Sequence, residues 1–439
     1  MAEVYNNIHP GLGLDETLLI LSSPLESLES SSDYYMAASH LINFPGVRTE
    51  DALLNLVRND ATQQPIRLAR RKAVEVLARL NCQRAIDAIG ACLHSDDPYL
   101  VENAAWSLQE LNCASPQWLE AMCSLLDDPS QTRRVLIKSL ASLGYRPAVA
   151  AIERLNDDPT PSVRSAVISA VTQLRGDHSQ VNQLADYLVL PNQMDRQSAI
   201  QDVIDCGGVP LLSDVLRAPV SPVFRMRALR SLGERAEQTD GVDFDLVESI
   251  DRLLLDCPDD LHLVHQYDEP PDESFLIQEF FGTDFSRCYL AFQTLMKRST
   301  DVIWPILKRR WFEEAHNDYG AHYFFVRLMA SRVDWPSECL PEIQSLLEEA
   351  MMNRRPQFMK SRPVAVLSLM HPFMQDSCRH LSAIMQSAEA VSWDCRYAAM
   401  MVVEQNVSWL QSYHDLIAQL VLDADPFLQR KAQHILRNV

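Results

Sequence analysis

Between about residue 70 and residue 176 the apolar positions repeat as blocks. If Leu80, Leu111, Leu143 and Leu174 are aligned as equivalents, the period is about 31 residues, in the range of helical-hairpin arrays. The aligned copies read KAVEVLARL, NAAWSLQEL, RVLIKSLASL and SAVISAVTQL, with Ala, Val or Leu returning every third or fourth position. That spacing predicts one amphipathic helix per copy. Asp96-Asp97-Pro98, Asp127-Asp128-Pro129 and Asp157-Asp158-Pro159 punctuate the array; Asp offers a capping oxygen, and Pro suits a turn or a first helical position. One such hairpin cannot bury its apolar face alone, so neighbours must stack. The fold class predicted is all-α, an α-solenoid of HEAT-like helical hairpin repeats, with function on an extended face or in an irregular insertion.

The pattern divides the chain into four parts. Residues 1–60 form an N-terminal helical cap and residues 61–255 the repeats, loosening after about 180 although SPVFRMRALRSLGERA still reads as a repeat helix. Residues 256–285 form an acidic, Pro-containing insertion, and residues 286–439 resume the helical repeats through WDCRYAAMMVVEQN to DADPFLQRKAQHILRNV. From Asp256 to Asp284 there are nine acidic residues and three prolines, which suits a loop better than a hairpin.

Composition narrows the function classes. Twelve glycines in 439 residues, with no Gly-rich phosphate loop, argue against a doubly wound nucleotide-binding fold. A net charge of −20 is a poor footprint for nucleic acid. Neither a signal peptide nor a run of about 20 apolar residues is evident, so no membrane span and a cytoplasmic location are expected. The ten cysteines form no C-x-x-C pair and sit mostly among Leu, Ala and Met, as reduced core thiols would. His262-x-x-His265 and Cys378-x-His380 lack matching second pairs, so no metal site is expected, and the absence of any His-Glu dipeptide removes the helical-repeat iron hydroxylases.

Three constellations could carry chemistry. Glu102, Asn103 and Trp106 share one helix face, which is either a polar-aromatic patch or a packed indole with solvated neighbours. Arg70 and Arg71 present paired guanidinium forks suited to carboxylates, whereas Arg164 fits a structural ladder with a neighbouring Asp. His316, Asp318, Tyr319 and His322 cluster about a short connection between helices; they offer graded proton affinities, or simply an Asn/Asp/Gly turn with a helix cap.

LILSSPLESLESSSDYYMAASHL, RRKAVEVLARL and DPYLVENAAWSLQEL together resemble the E/F-type phycobilin lyases of cyanobacteria, most closely to about residue 175 and more loosely beyond. The length resembles members that serve phycoerythrin. The resemblance implies attachment of phycoerythrobilin, a linear tetrapyrrole bound as substrate, to a cysteine of a phycoerythrin subunit, with no prosthetic group and no catalytic cysteine in the lyase. It further implies that a client thiol adds across the A-ring ethylidene, and that some members also isomerise the product to phycourobilin. On this reading Asp318 and Tyr319 are the catalytic pair. Arg70, Arg71, Glu102, Asn103, Trp106, His316 and His322 would surround the bilin. The alternative is a non-catalytic helical-repeat scaffold or chaperone for a protein partner.

Overall fold

In the computed structural model, which describes residue 9 and residues 11–239, 244–386 and 391–438, every regular element is a helix. The chain is an all-α solenoid of stacked hairpins. Contacts divide it into two compact units, residues 1–181 and 182–439, within the stretch that the pattern assigns to a single run of repeats.

In the first unit the helices Asp33–His40, Gln64–Arg79, Pro98–Glu110, Arg133–Ser142 and Pro161–Arg175 pack in succession, each on the next. Three of them end alike because Leu80, Leu111 and Leu143 are each followed by a residue able to turn left-handed. Asn81, Asn112 and Gly144 have φ of 54°, 50° and 66°. The next amides, Cys82, Cys113 and Tyr145, donate back to the carbonyls of Leu77, Leu108 and Leu140 at 3.0, 2.9 and 3.0 Å. These bonds satisfy carbonyls that a helix end leaves free.

The Asp-Asp-Pro triplets split in use. Asp97 is the N-cap of Pro98–Glu110 and accepts from the Tyr99 amide at 3.1 Å. Asp128 and Asp158 instead close turns on Ser130 N (2.9 Å) and Thr160 N (2.9 Å), and the next helices begin at Arg133 and Pro161. Arginines stitch each repeat to the end of the preceding one. Arg70 donates to Val57 O (2.7 Å), Arg133 to Leu126 O (3.0 Å), Arg164 to Asp158 O (2.6 Å) and Arg196 to Leu190 O (2.7 Å). Small residues set the close approach, most tightly where the Trp118 ring lies 2.3 Å from the place a Cβ on Gly90 would occupy.

The second unit continues the hairpins through Pro222–Glu237, Phe285–Leu295, Ala321–Ser331, Ser361–Leu367, Trp393–Glu404 and Pro426–Asn438. Its core holds a polar network. Asp256, buried and left-handed at φ 48°, closes the helix Leu246–Leu255 and accepts from Arg225, Tyr289 and Tyr323. Arg327 completes the cluster by donating to the carbonyls of Leu255 (2.6 Å) and Asp256. The acidic insertion therefore begins with a buried anchor. Residues 261–272 run without helix or strand, held by Val264 N to Ser286 Oγ (3.0 Å) and His265 Nε2 to Asp284 Oδ2 (2.8 Å), before the short helix Glu273–Glu279.

Among the described residues no helix is long and apolar enough to cross a membrane. Among the described residues no two cysteines form a disulfide, and Cys92, Cys288 and Cys395 are buried. Cys257 departs from the core-thiol expectation by being exposed.

Candidate functional site

In the first unit, Glu102, Asn103 and Trp106 do share one half-buried face of the helix Pro98–Glu110. Each is already engaged. Glu102 accepts from Thr132 Oγ1 (2.9 Å), Asn103 donates to Arg71 O (3.2 Å), and the Arg79 guanidinium lies 5.9 Å from the Trp106 ring. A neighbouring cavity of about 390 Å³ is lined by Tyr35, His40, Lys72, Glu75 and Arg79, where Glu75 is paired with Lys72 and, at 2.9 Å, with Arg79.

The structure corrects the part expected of the paired arginines. Arg71 grips Asp97 through both oxygens at 2.8 and 2.8 Å, and Asp97 is only 4% exposed. Burial works to raise the Asp97 carboxyl, but the Arg71 guanidinium prevails and holds it below the usual carboxylate range. Arg70 serves the carbonyl of Val57. These forks are rungs between repeats, the role that the sequence suggested for Arg164.

The connection before the helix Ala321–Ser331 also differs from a cluster of four open groups. Asp318 accepts from the amides of Gly320 and Ala321 at 2.8 and 2.7 Å, so its carboxylate caps that helix. His322 points inward. It is buried, bonded to Ser361 Oγ at 2.9 Å and stacked on Phe358 at 4.2 Å. Burial, then the charges of Arg355, Lys360 and His316, push it down to about 4, so it stays neutral. His316 is exposed and engages Trp311 O at 3.0 Å. Tyr319, 60% exposed, lies under the Lys360 ammonium at 4.0 Å from its ring centre.

Lys360 leads to the site that the sequence reading did not find. A cavity of about 530 Å³ opens where the helices Pro222–Glu237, Ser361–Leu367 and Trp393–Glu404 begin. Its walls are apolar at Met226, Leu254 and Val364, aromatic at Tyr323 and Trp393, and charged at Arg227, Arg230, Lys360 and Asp394. Arg230 reaches Asp425 at 3.0 Å and lies 4.6 Å over both Trp393 and Phe427. Arg227, exposed, rests 5.2 Å over Phe224 and has no carboxylate within pairing distance among the described residues. The Lys360 Nζ is buried without a hydrogen-bond partner, beside Phe285 (5.1 Å) and Tyr323 (5.6 Å). Burial pushes it down to about 8 against the opposing influence of Cys288 and Asp318. The Asp394 carboxyl moves the other way, raised by burial although Ser392 and the Cys395 amide (2.9 Å) bond to it.

Such a site suits a planar, conjugated ligand with anionic arms. Guanidiniums can hold carboxylates, the indole and phenol supply flat surface, and Asp394 can accept from ring N–H groups. One signal was available in the sequence, Arg227 and Arg230 standing three apart on a repeat helix. Lys360 and Asp394 lie far from them in the chain, and only folding brings the four to one cavity.

The HEAT repeats family matches residues 50–140 and 119–204. By sequence, the chain is 40% identical over 411 residues to the bilin biosynthesis protein CpeY of Synechococcus sp. (strain WH8020), covering 92% of this chain and 97% of that protein. It is 36% identical over 392 residues to the uncharacterized phycocyanin operon protein Y of Pseudanabaena tenuis (strain PCC 7409), covering 89% and 91% respectively. It is also 27% identical over 227 residues to the phycocyanobilin lyase subunit alpha of Picosynechococcus sp. (strain ATCC 27264 / PCC 7002 / PR-6), covering 47% of this chain and 84% of that subunit.

Proposed function

The chain belongs to the E/F-type phycobilin lyases, and from that premise we propose that its second unit binds phycoerythrobilin and presents it to a cysteine of a phycoerythrin subunit. The coarser role is that of a bilin lyase in phycobiliprotein chromophore attachment. The observation that carries the finer reading is the cavity at Arg227, Arg230, Trp393 and Asp394. A linear tetrapyrrole has two propionate arms, a flat conjugated body and pyrrole N–H groups. Arg227 replaces Arg70 and Arg71 as the propionate ligand, with Arg230 held beside it by Asp425, Trp393 supports the ring system, and Asp394 accepts from the pyrroles.

Holding the bilin in one orientation is the main contribution, because the client thiol then meets a fixed carbon. Bond formation needs no cysteine of the lyase. Tyr319 joins the site through its contact with Lys360, while Asp318 acts indirectly by holding the turn. Isomerisation to phycourobilin would use the same cavity, since it requires one proton delivered and one removed.

The test is reconstitution with the full chain. Added phycoerythrobilin should change its absorbance on binding, and apo-phycoerythrin subunit should then acquire bilin that survives denaturation. Product absorbance separates ligation alone from ligation with isomerisation, because phycourobilin absorbs at shorter wavelength. Absence of both binding and attachment would overturn this function.

A further inference from the structure

Lys360 is the unusual cation of the second unit. Where this chain buries a lysine for architecture it supplies acids, since Lys431, fully buried, reaches Asp251 at 2.7 Å and Glu404 at 2.6 Å. Two buried arginines likewise meet acids: Arg332 reaches Asp334 at 2.5 Å and Arg396 reaches Asp423 at 2.5 Å. The Lys360 Nζ has neither an acid in pairing distance nor a hydrogen bond, although the residue lines a cavity. A methionine would fill the same aromatic cage without the desolvation cost of an ammonium. The charge is therefore poorly explained by packing.

Across the same cavity wall stands Asp394, at the start of the helix that packs on the one Lys360 precedes. We propose that Lys360 is a general acid of this cavity, protonating a ring carbon of the bound tetrapyrrole while a client thiol adds to the neighbouring exocyclic carbon, with Asp394 taking the thiol proton. The inference rests on the bilin reading of the cavity. One S–H and one N–H bond break, one S–C and one C–H bond form, and the exocyclic C=C becomes a single bond. The amine and the carboxylic acid left behind return to ammonium and carboxylate by proton exchange with water, so no oxidant or reductant is consumed.

Burial lowers the lysine to about 8 and raises the carboxyl, which makes the donor a stronger acid and the acceptor a stronger base than the free side chains. Besides Asp394, the titratable or charged groups facing Lys360 include Arg227 and Arg230 on the cavity helix Pro222–Glu237, Cys288 on the helix Phe285–Leu295, Asp318 and Tyr319 in the turn, His322 and Tyr323 on the next helix, and Arg355 on its own approach. Burial keeps Cys288 a thiol, and His322 is neutral, so neither competes with Lys360 as a donor at neutral pH.

The experiment loads the full chain with phycoerythrobilin, adds apo-phycoerythrin subunit and follows a single turnover against pH. In the wild type the rate should fall above about pH 8 as Lys360 loses its proton. Lys360→Met should keep bilin affinity within about threefold and lower the transfer rate by roughly 10²–10⁴; Lys360→Gln supplies the same comparison should the Met variant fail to fold. Transfer at the wild-type rate in these variants, or an equal loss of binding and transfer, overturns the inference and leaves the function standing. A wild-type profile flat through pH 8 does the same. A wild type that neither binds nor transfers bilin overturns both.

Discussion

The two units use the same hairpin for different ends. In the first unit charge is consumed by architecture: Arg71 holds Asp97, Arg133 holds Asp158 at 2.8 Å, and Glu75 lies between Lys72 and Arg79. In the second unit the cavity keeps charge in reserve. Arg227 has no acid in pairing distance among the described residues, and Lys360 has no hydrogen-bond partner. The regular repeats need their side chains to join neighbour to neighbour. Irregular repeats, stabilised by a buried polar cluster at Asp256, can leave some groups free for a ligand.

The hub of the second unit should give the largest effect. Asp256→Asn leaves Arg225 and Arg327 without their buried counter-charge, and breaking such a pair costs about 3–5 kcal/mol. Denaturant unfolding should report that loss, and an unchanged midpoint would remove Asp256 as the anchor.

A reciprocal pair tests the division of labour directly. Arg71→Ala should destabilise the chain by about 1.5–3 kcal/mol, the worth of charged hydrogen bonds, and leave bilin affinity unchanged. Arg227→Ala should leave stability within about 0.5 kcal/mol and weaken bilin binding by about ten- to a hundredfold. The opposite ranking would move the ligand to the first unit. Acid sharpens the same point. Because the Asp97 carboxyl is held low in the folded chain, its contribution is present above the unfolded carboxylate value of about 3.9 and is lost as pH falls through the lower folded value. Asp97→Asn should therefore flatten the acid limb of a stability profile, and an unaltered limb would deny the Arg71 pair that role.

The smallest effect is expected at the turn. Asp318→Ala loses a cap worth about 1 kcal/mol, whereas Asp318→Asn keeps a capping oxygen and should both melt and attach bilin much as the wild type does. If Asp318→Asn melts normally but attaches no bilin, the carboxylate acts on the bilin itself.

Local rules made much of the architecture legible. The spacing of apolar residues marks the helices, and the residue after Leu80, Leu111 and Leu143 marks three of their ends, because Asn81, Asn112 and Gly144 can adopt the left-handed turn that a helix terminus favours. Asp97-Pro98 likewise announces a helix start from two adjacent residues. The chemistry was much less legible, since a free charge and a ladder charge look alike in a sequence. Arg71 became a rung only because stacking set Asp97 against it, 26 residues on, and Asp318 became a cap only because its oxygen met two amides of its own turn. His322 reads as a proton carrier until packing buries it against Phe358. Arg227, Lys360 and Asp394 are scattered over three hairpins, and none has a local pattern that reveals its surroundings. The sequence by itself determined the helices, their ends and the need to stack, because those follow from neighbours in the chain. Which charges would be paired, buried or left facing a cavity depended on contacts between residues far apart in it, and so was decided by the tertiary structure.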